Sequence, residues 1–152
     1  MLTRNGLLEA LPEDRREALA ALSHEVTYEA GARIFNEGGS TDRFWVIRIG
    51  NVALDVHVPG RQAAAVQSLG AGALLGWSWL IPPRTWHLGA TALSAVQADE
   101  YDAAQVRALC ADDPVLGQAV ALYVAGIIGG RLRSSRRRLL DLYGPYGSGA
   151  DL

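Results

Sequence analysis

Residues 28–54 read YEAGARIFNEGGSTDRFWVIRIGNVAL, and this stretch decides the fold. Apolar pairs and runs alternate here with glycines, which tolerate the positive φ angles that sharp chain reversals need. Gly31 and Gly38 flank a short segment that carries Ile34 and Phe35. This spacing predicts short strands joined by tight turns, as in an all-β barrel or roll.

The segment 51–58 is the clearest strand in the chain. Its apolar residues take every second position, so they face one side of the strand and the residues between them face the other. Gly50 and Asn51 separate this strand from the apolar run 44–49, which predicts a tight hairpin. The two alternating sets are Val52, Leu54, Val56 and Val58 on one side, and Ala53, Asp55 and His57 on the other.

The same pattern of short apolar runs and glycines extends over residues 24–102, with further strands predicted at 62–69 and 86–98. Residues 6–22 instead carry leucines at helical spacing. They predict a short turn of helix and then a second helix from about Pro12. Helices therefore come before the β region.

Helices are also predicted after the β region, over residues 103–143. A short helix comes first, and a long helix then begins at Pro114, with Asp113 as its N-cap. Glycines and a proline follow this helix, so we expect residues 144–152 to be a flexible tail. The sequence thus predicts one domain over residues 6–143 that is mainly β with flanking helices.

Composition excludes several classes of protein. The 152 residues suit one domain, and the net charge of −2 gives no general attraction to nucleic acid or to an anionic membrane. A single cysteine, Cys110, excludes an intrachain disulfide framework and multi-cysteine metal sites. Glu9, Glu13 and Asp14 interrupt any apolar signal segment, so we expect a cytoplasmic protein.

Residues 28–54 resemble the opening of cyclic nucleotide-binding domains of the cAMP receptor protein and fumarate-nitrate regulator superfamily. The resemblance continues through 69–76, 90–92 and the C-terminal helices, and spans about residues 6–143. It implies an eight-stranded β-roll, a phosphate-binding cassette between two late strands and a long helix that often forms a dimer. Many members continue into a helix-turn-helix domain, and we expect this chain to be a regulatory domain without one.

The cassette, residues 76–92, departs from the family pattern. In nucleotide-binding members a Glu after the first glycine accepts a hydrogen bond from the ribose, and a later Arg holds the phosphate. Trp77 follows Gly76 here, and Leu88 falls where that Arg is expected. We therefore expect another small ligand, or none, in place of cAMP or cGMP, although Arg84 is near enough to reach in. The candidate pocket residues are Gly76, Trp77, Ser78, Arg84, Leu88, Ala90 and Thr91.

The cassette also holds three of the four tryptophans, at positions 77, 79 and 86. Their rings either wall a pocket for an apolar or planar ligand or fill the vacated nucleotide pocket. Two functions stay open on this basis. The first is a homodimeric sensor that passes a ligand signal through the long helix to a partner protein. The second is an interaction subunit of a larger complex, with a pocket plugged by Trp77 and its neighbours.

The long helix 114–143 is suited to dimerisation. Its apolar run 115–130 has 16 residues, fewer than the roughly 20 that a membrane span needs. Gly126 and Gly130 lie one turn apart, where small residues allow two helices to approach closely. We therefore predict a homodimer and no membrane span, with seam residues Leu116, Tyr123, Gly126, Ile127 and Gly130.

Five arginines close the long helix, at positions 131, 133, 136, 137 and 138. They complement the negative end of the helix dipole, or they meet an acidic partner or nucleic-acid phosphate. A transcriptional regulator that uses this run is the third hypothesis. No base-reading element accompanies the run, so specific DNA binding is not expected.

The sequence shows no catalytic pattern. It lacks a nucleophile–His–carboxylate set, a Walker loop and a metal motif, so enzyme activity and a metal site are not expected. The histidines His24, His57 and His87 are scattered, and His87 is the one candidate axial ligand for haem. Cys110 is either an inert buried thiol or a redox sensor.

Overall fold

Two antiparallel sheets dominate the computed structural model, which describes residues 5–61 and 63–143. Within these residues each sheet has four strands, and the predicted mainly β fold is confirmed. In chain order the strands are β1 Ser23–Tyr28, β2 Arg33–Phe35, β3 Arg43–Ile49, β4 Val52–Val56, β5 Ala64–Leu69, β6 Leu74–Leu75, β7 Gly89–Ala92 and β8 Val96–Asp102.

The main core lies between the two sheets. The first sheet has the order β1-β8-β3-β6, and the second has the order β2-β7-β4-β5. Alternate residues of both sheets point inward and form one apolar cluster. The first sheet supplies Trp45, Ile47, Leu75, Val96 and Ala98, and the second supplies Val52, Leu54, Leu69, Ala90 and Ala92.

The predicted hairpin at Gly50 is wrong. The strands on either side of it, β3 and β4, belong to different sheets and share no ladder of hydrogen bonds. Gly50 adopts a φ of +97°, and a Cβ on it would collide with the carbonyl oxygen of Ala95. The glycine therefore makes a corner at which the chain crosses from one sheet to the other.

Among the described residues, helical segments precede and follow the strands along the chain: α1 Gly6–Ala10, a 3-10 turn Glu13–Arg15, α2 Arg16–Ala20, α3 Ala103–Asp112 and α4 Pro114–Tyr143. The predicted cap of the long helix is confirmed, because Asp113 Oδ1 accepts a hydrogen bond from the Leu116 amide at 3.3 Å. The second N-terminal helix starts as the 3-10 turn after Pro12 and becomes α-helical only at Arg16. The chain divides into two compact units between Val120 and Ala121.

Several predicted strand boundaries shift by a few residues. The strand predicted at 51–58 ends at Val56, after a bulge between Leu54 and Asp55. The segment 86–98 holds two strands, β7 and the start of β8, in different sheets. The predicted tail, residues 144–152, lies outside the described residues.

A second, smaller core covers the other face of the first sheet. Phe44 stacks between Trp79 and Tyr101, with ring centroids 4.0 and 4.9 Å away. The Tyr101 hydroxyl accepts a hydrogen bond from Asn5 Nδ2 at 3.2 Å, and burial raises the pKa of Tyr101 to about 12. Asn5 also caps α1, since its Oδ1 accepts from the Leu8 amide. These contacts attach the N-terminal helices to the sheet.

The crossing at Gly50 gives a test of the fold. We expect Gly50→Ala to lower the free energy of unfolding by clearly more than the roughly 1–2 kcal/mol that a left-handed residue costs by itself. The matched control is Gly31→Ala, because Gly31 also has a positive φ but no atom within 4 Å of the added Cβ. Urea unfolding of both variants measures the difference. Equal losses would show that the contact with Ala95 is unimportant.

Candidate functional site

The cassette connects the two sheets, from the end of β6 to the start of β7. Gly76 leaves β6 with a φ of +93°. A tight turn follows, in which the Leu80 amide donates to the Trp77 carbonyl at 3.1 Å. The exposed loop 81–85 then returns to Trp86, whose amide donates to the Gly39 carbonyl at 3.0 Å. The cassette is thus held both to its own turn and to the β2–β3 loop.

Trp86 fills the interior beside the cassette. It is 4% exposed and stacks on Phe35, with ring centroids 4.2 Å apart. Phe35 in turn stacks on Trp45 at 5.6 Å. We call these three rings the aromatic stack. A Cβ added to Gly76 would come within 2.6 Å of the Trp86 ring, so the indole lies directly against the Gly76 backbone.

A buried carboxylate fixes one end of the aromatic stack. Glu100 is 5% exposed, and its Oε2 accepts a hydrogen bond from Trp45 Nε1 at 2.9 Å. Its other oxygen lies 3.1 Å from His24 Nε2 and 3.6 Å from the Arg43 guanidinium. The hydrogen bond sets the plane of the Trp45 ring, because an indole N–H has a single donor direction.

Trp77 lies apart from the aromatic stack. Its half-buried ring contacts His87, with centroids 4.6 Å apart, and its buried Nε1 has no hydrogen-bond partner. Ser78 beside it is 4% exposed, and its Oγ lies 3.3 Å from His87 Nδ1. The ring that occupies the interior beside Gly76 is therefore Trp86, although the sequence directed attention to Trp77.

The third cassette tryptophan serves the smaller core. Trp79 is fully buried against Phe44, and its Nε1 donates to the Gly76 carbonyl at 3.1 Å. The Trp79 carbonyl accepts a hydrogen bond from Arg107 of α3 at 2.7 Å. The cassette turn is thereby tied to a helix as well as to both sheets.

The structure separates the other candidate pocket residues. Ala90 is fully buried, and Leu88 packs against the same inter-sheet core. Thr91 faces the opposite side of β7, where its Oγ1 accepts a hydrogen bond from Arg33 at 2.8 Å. Arg84 is exposed in the loop with a φ of +59°. The candidate set therefore includes residues of the inter-sheet core, of the outer face of β7 and of the exposed loop.

An ion pair that the sequence analysis missed covers the outer face of β7. Arg33 donates to both carboxylate oxygens of Asp55, which is 7% exposed, and this pairing raises the pKa of Arg33. A Cβ on Gly89 would collide with both partners, so the guanidinium lies on the Gly89 backbone. The sequence analysis missed this pair because Arg33 and Asp55 lie in separate strands, which no local pattern relates. Alternation in β4 predicted only that Asp55 faces the outer side.

Titratable residues show no metal-binding arrangement within residues 5–61 and 63–143, where no group of three His, Cys, Asp or Glu is suited to hold an ion. Burial is the main cause that raises the pKa of the half-buried Cys110 thiol, so little reactive thiolate forms at neutral pH. His57 lies outside the cassette, and its amide donates to Glu37.

Two surface cavities lie away from the cassette. The larger, of about 460 Å³, lies beside Tyr28 and Ile49, and the smaller, of about 240 Å³, lies beside His24 and Asp102. Glu100, whose carboxylate accepts the hydrogen bond from Trp45, also lines the smaller cavity. Neither cavity is lined by a residue of the cassette.

The residues of the predicted dimer seam differ in exposure along α4. Leu116 has no exposed surface, whereas Gly126 is exposed and has no atom within 4 Å of an added Cβ. Tyr123, Ile127 and Gly130 are half-buried. The most exposed leucines of the helix are a different set: Leu122 (65%), Leu132 (60%), Leu139 (55%), Leu140 (51%) and Leu142 (67%).

The length and composition of α4 alone also meet the requirements of a membrane span. Residues Pro114–Leu142 contain a window of mean hydropathy 1.5, of which 17% is buried. The apolar run 115–130 considered by itself had predicted no such span. A long apolar helix surface of this kind is equally suited to packing on a second protein helix.

Comparison with known proteins shows what the chain resembles. The sequence profile of the cyclic nucleotide-binding domain family matches residues 25–113. A CRP-like cAMP-activated global transcriptional regulator of Mycobacterium tuberculosis is 25% identical over 142 residues. That alignment covers 93% of this chain and 62% of the longer relative.

Solved structures agree with the fold. The N-terminal domain of a transcriptional regulator from Streptomyces coelicolor is 26% identical with a TM-score of 0.66, over 95% of this chain and 92% of that one. A cyclic nucleotide-binding domain from Methylobacillus flagellatus is 19% identical with a TM-score of 0.80, over 90% of this chain and 82% of that one. The second likeness concerns the fold alone.

The different positions of Trp77 and Trp86 give a matched test. We expect Trp86→Phe to lower the free energy of unfolding by about 1–3 kcal/mol, because it opens a cavity between the sheets. Trp77→Phe removes an unpaired buried N–H, which costs roughly 1–3 kcal/mol to keep, so we expect it to be neutral or stabilising. Denaturant unfolding of the two variants compares them. A larger loss for Trp77→Phe would reverse the two assignments.

Proposed function

We propose that this chain, which belongs to the cyclic nucleotide-binding domain family, is a regulatory domain whose interior is filled by its own aromatic rings in place of a cyclic nucleotide. The observation that carries this proposal is the packing of Trp86 on the Gly76 backbone. In this family the cassette holds the ligand, and here an indole occupies the space beside its first glycine. The domain then acts by contact with other protein surfaces in the cytoplasm, without catalysis.

The cassette positions that hold a nucleotide in the family lack their polar side chains here, which supports this proposal. Trp77 and Leu88 take the places where the family pattern has its Glu and Arg, and neither side chain can accept from a ribose or hold a phosphate. Arg33 of β2, whose guanidinium lies against the outer face of β7, is paired with Asp55. Arg84 is exposed at the loop.

A ligand sensor remains the alternative, and one observation favours it. The buried Trp77 N–H lacks an acceptor, and His87 and Ser78 lie beside it. A cassette that opens would offer this donor to a small ligand with an acceptor group. Because the atom is buried, such a ligand can bind only when the turn after Gly76 moves.

We expect cAMP and cGMP to leave the melting temperature of this chain unchanged at millimolar concentration. A ligand at a hundredfold excess over its Kd stabilises a protein by about 2.7 kcal/mol, a shift of several degrees. Differential scanning fluorimetry with the cAMP-activated M. tuberculosis relative as positive control makes the comparison. A saturable shift in this chain would contradict the closed interior.

We further propose that the domain is a homodimer through α4. Ala125, Leu132 and Leu139 recur every seven residues, and a second series, Leu122, Gly129 and Arg136, runs beside it with the same period. Two such series are the a and d positions of a two-stranded coiled coil. We call them the exposed stripe. Its leucines are 55–65% exposed in the single chain, which is the area that a second copy would bury.

The exposed stripe differs from the seam predicted from the sequence, and the two are separable. Leu122→Gln combined with Leu132→Gln keeps the charge and the helix propensity of α4, so we expect this pair to convert a dimer into monomers. Gly126→Ala is the matched control, because its Cβ meets open space, and we expect it to remain dimeric. Sedimentation velocity at micromolar concentration distinguishes them. Loss of the dimer in Gly126→Ala alone would favour the original seam.

A further inference from the structure

We propose that the arginine segment, residues 131–138 of α4, binds the phosphate backbone of nucleic acid without sequence preference. The proposal rests on the proposed dimer, which brings two copies of the segment together. It assigns a ligand to the one strongly charged feature that the roll and the cassette leave unexplained. The ligand class is a phosphodiester polyanion.

The first step is the charge imbalance within the chain. Residues 121–152 carry five arginines against two aspartates, whereas residues 1–120 carry nine arginines against 14 acidic residues. No acidic residue lies between Asp113 and Asp141, so Arg133 and Arg136 have no carboxylate within one helical turn. They are instead three residues apart from each other, a spacing at which like charges repel on a helix.

The second step is exposure. Arg133, Arg136, Arg137 and Arg138 are all exposed. Arg131 is half-buried, and burial lowers its pKa, so we leave it out of the binding surface. The Arg133 guanidinium extends back along the helix, with its nitrogens 3.5 and 3.9 Å from the Cβ positions of Gly129 and Gly130.

The third step is the position of the charges around the helix. At 3.6 residues per turn, Arg133 and Arg137 lie on one side of the exposed stripe, and Arg138 lies nearly opposite the stripe. Arg136 belongs to the stripe itself. When two helices pair through the stripe, arginines therefore line both grooves of the pair. In a parallel pair Arg136 lies opposite its own copy across the axis, where a bound anion would reduce the repulsion.

This arrangement favours phosphate over the other anionic partners. An acidic amphipathic helix would need the exposed stripe for its apolar face, and the second copy covers that stripe. A helix lying on a membrane keeps its cations on one polar face, whereas Arg136 here interrupts the apolar one. A guanidinium matches two phosphate oxygens at once, and Ser134 and Ser135 add hydroxyl donors between the arginines.

The test is the salt dependence of binding to a fluorescein-labelled 20-base-pair DNA duplex, followed by anisotropy from 50 to 300 mM NaCl. Affinity should fall with salt, with a slope of about 0.9 per phosphate contact in a plot of log K against log salt. Arg136→Gln, Arg137→Gln and Arg138→Gln should each reduce that slope by about 1. Arg61→Gln, an exposed arginine of the roll, is the control and should leave it unchanged.

Other results would overturn the proposal. A slope that the three neutralised variants share with the parent chain would place binding elsewhere. Binding to polyglutamate or to phosphatidylcholine vesicles with 30% phosphatidylglycerol, but not to the duplex, would identify an acidic protein or a membrane as the partner. The absence of binding to all three probes would make the segment a solvated helix end.

Failure of this proposal and failure of the proposed dimer are distinguishable. Sedimentation velocity without DNA reports the dimer alone. A dimer that binds no duplex overturns the phosphate site and leaves the dimer intact. The chain could instead be monomeric without DNA and still bind the duplex with the arginine-dependent slope. That result would overturn the proposed dimer and leave the phosphate site standing. We expect the combined Leu122→Gln and Leu132→Gln variant to bind with a smaller slope, because it presents one segment in place of two.

Discussion

The contact between the Trp86 indole and the Gly76 backbone is the constraint on which the interior depends. Gly76 is the last residue before the cassette turn, and any side chain there would collide with the ring. The Trp86 ring stacks on Phe35, and Phe35 stacks on Trp45. The position of the Trp45 ring is fixed in turn by its hydrogen bond to Glu100. One series of contacts therefore passes from the cassette through both sheets to the buried carboxylate of Glu100. A buried stack of this kind is rigid, because close-packed interiors resist small displacements.

The sequence predicted the mainly β class and the flanking helices because the signals for these elements are local. Alternation in residues 51–58 placed Val52 and Leu54 inward, and Asp113 with Pro114 marked the start of the long helix. These patterns depend on neighbours two to four residues apart. The strand that follows Gly50 was identified correctly, but its partner was not. Both a hairpin and a crossing between sheets need a glycine with positive φ, and only the pairing of distant strands separates them.

The candidate site was less predictable because it depends on contacts between distant residues. Trp77 and Trp86 are the same residue type in one loop, yet one is half-buried with an unpaired N–H and the other forms the core. Their positions are decided by which ring meets Phe35 of β2, about 50 residues earlier in the chain. The same holds for Arg33 and Asp55, which are joined across β7. Periodicity in the sequence does not predict such a pairing of distant residues. The family resemblance identified the loop but did not predict where its side chains lie.

The proposed closed interior changes where regulation can act in such a domain. Among the described residues, Trp86, Phe35 and Trp45 pack directly on one another, so a ligand could enter this stack only with the loss of its packing. The proposal therefore places a two-state element elsewhere. The described helix α4 has the necessary conflict between two forces. In the proposed dimer its heptad pattern draws two copies together through Leu132 and Leu139, and Arg136 within the same stripe repels its copy. Apolar burial varies little with salt, whereas the repulsion depends steeply on the anions present. The proposed pairing of α4 would therefore depend on the salt and the anions around it.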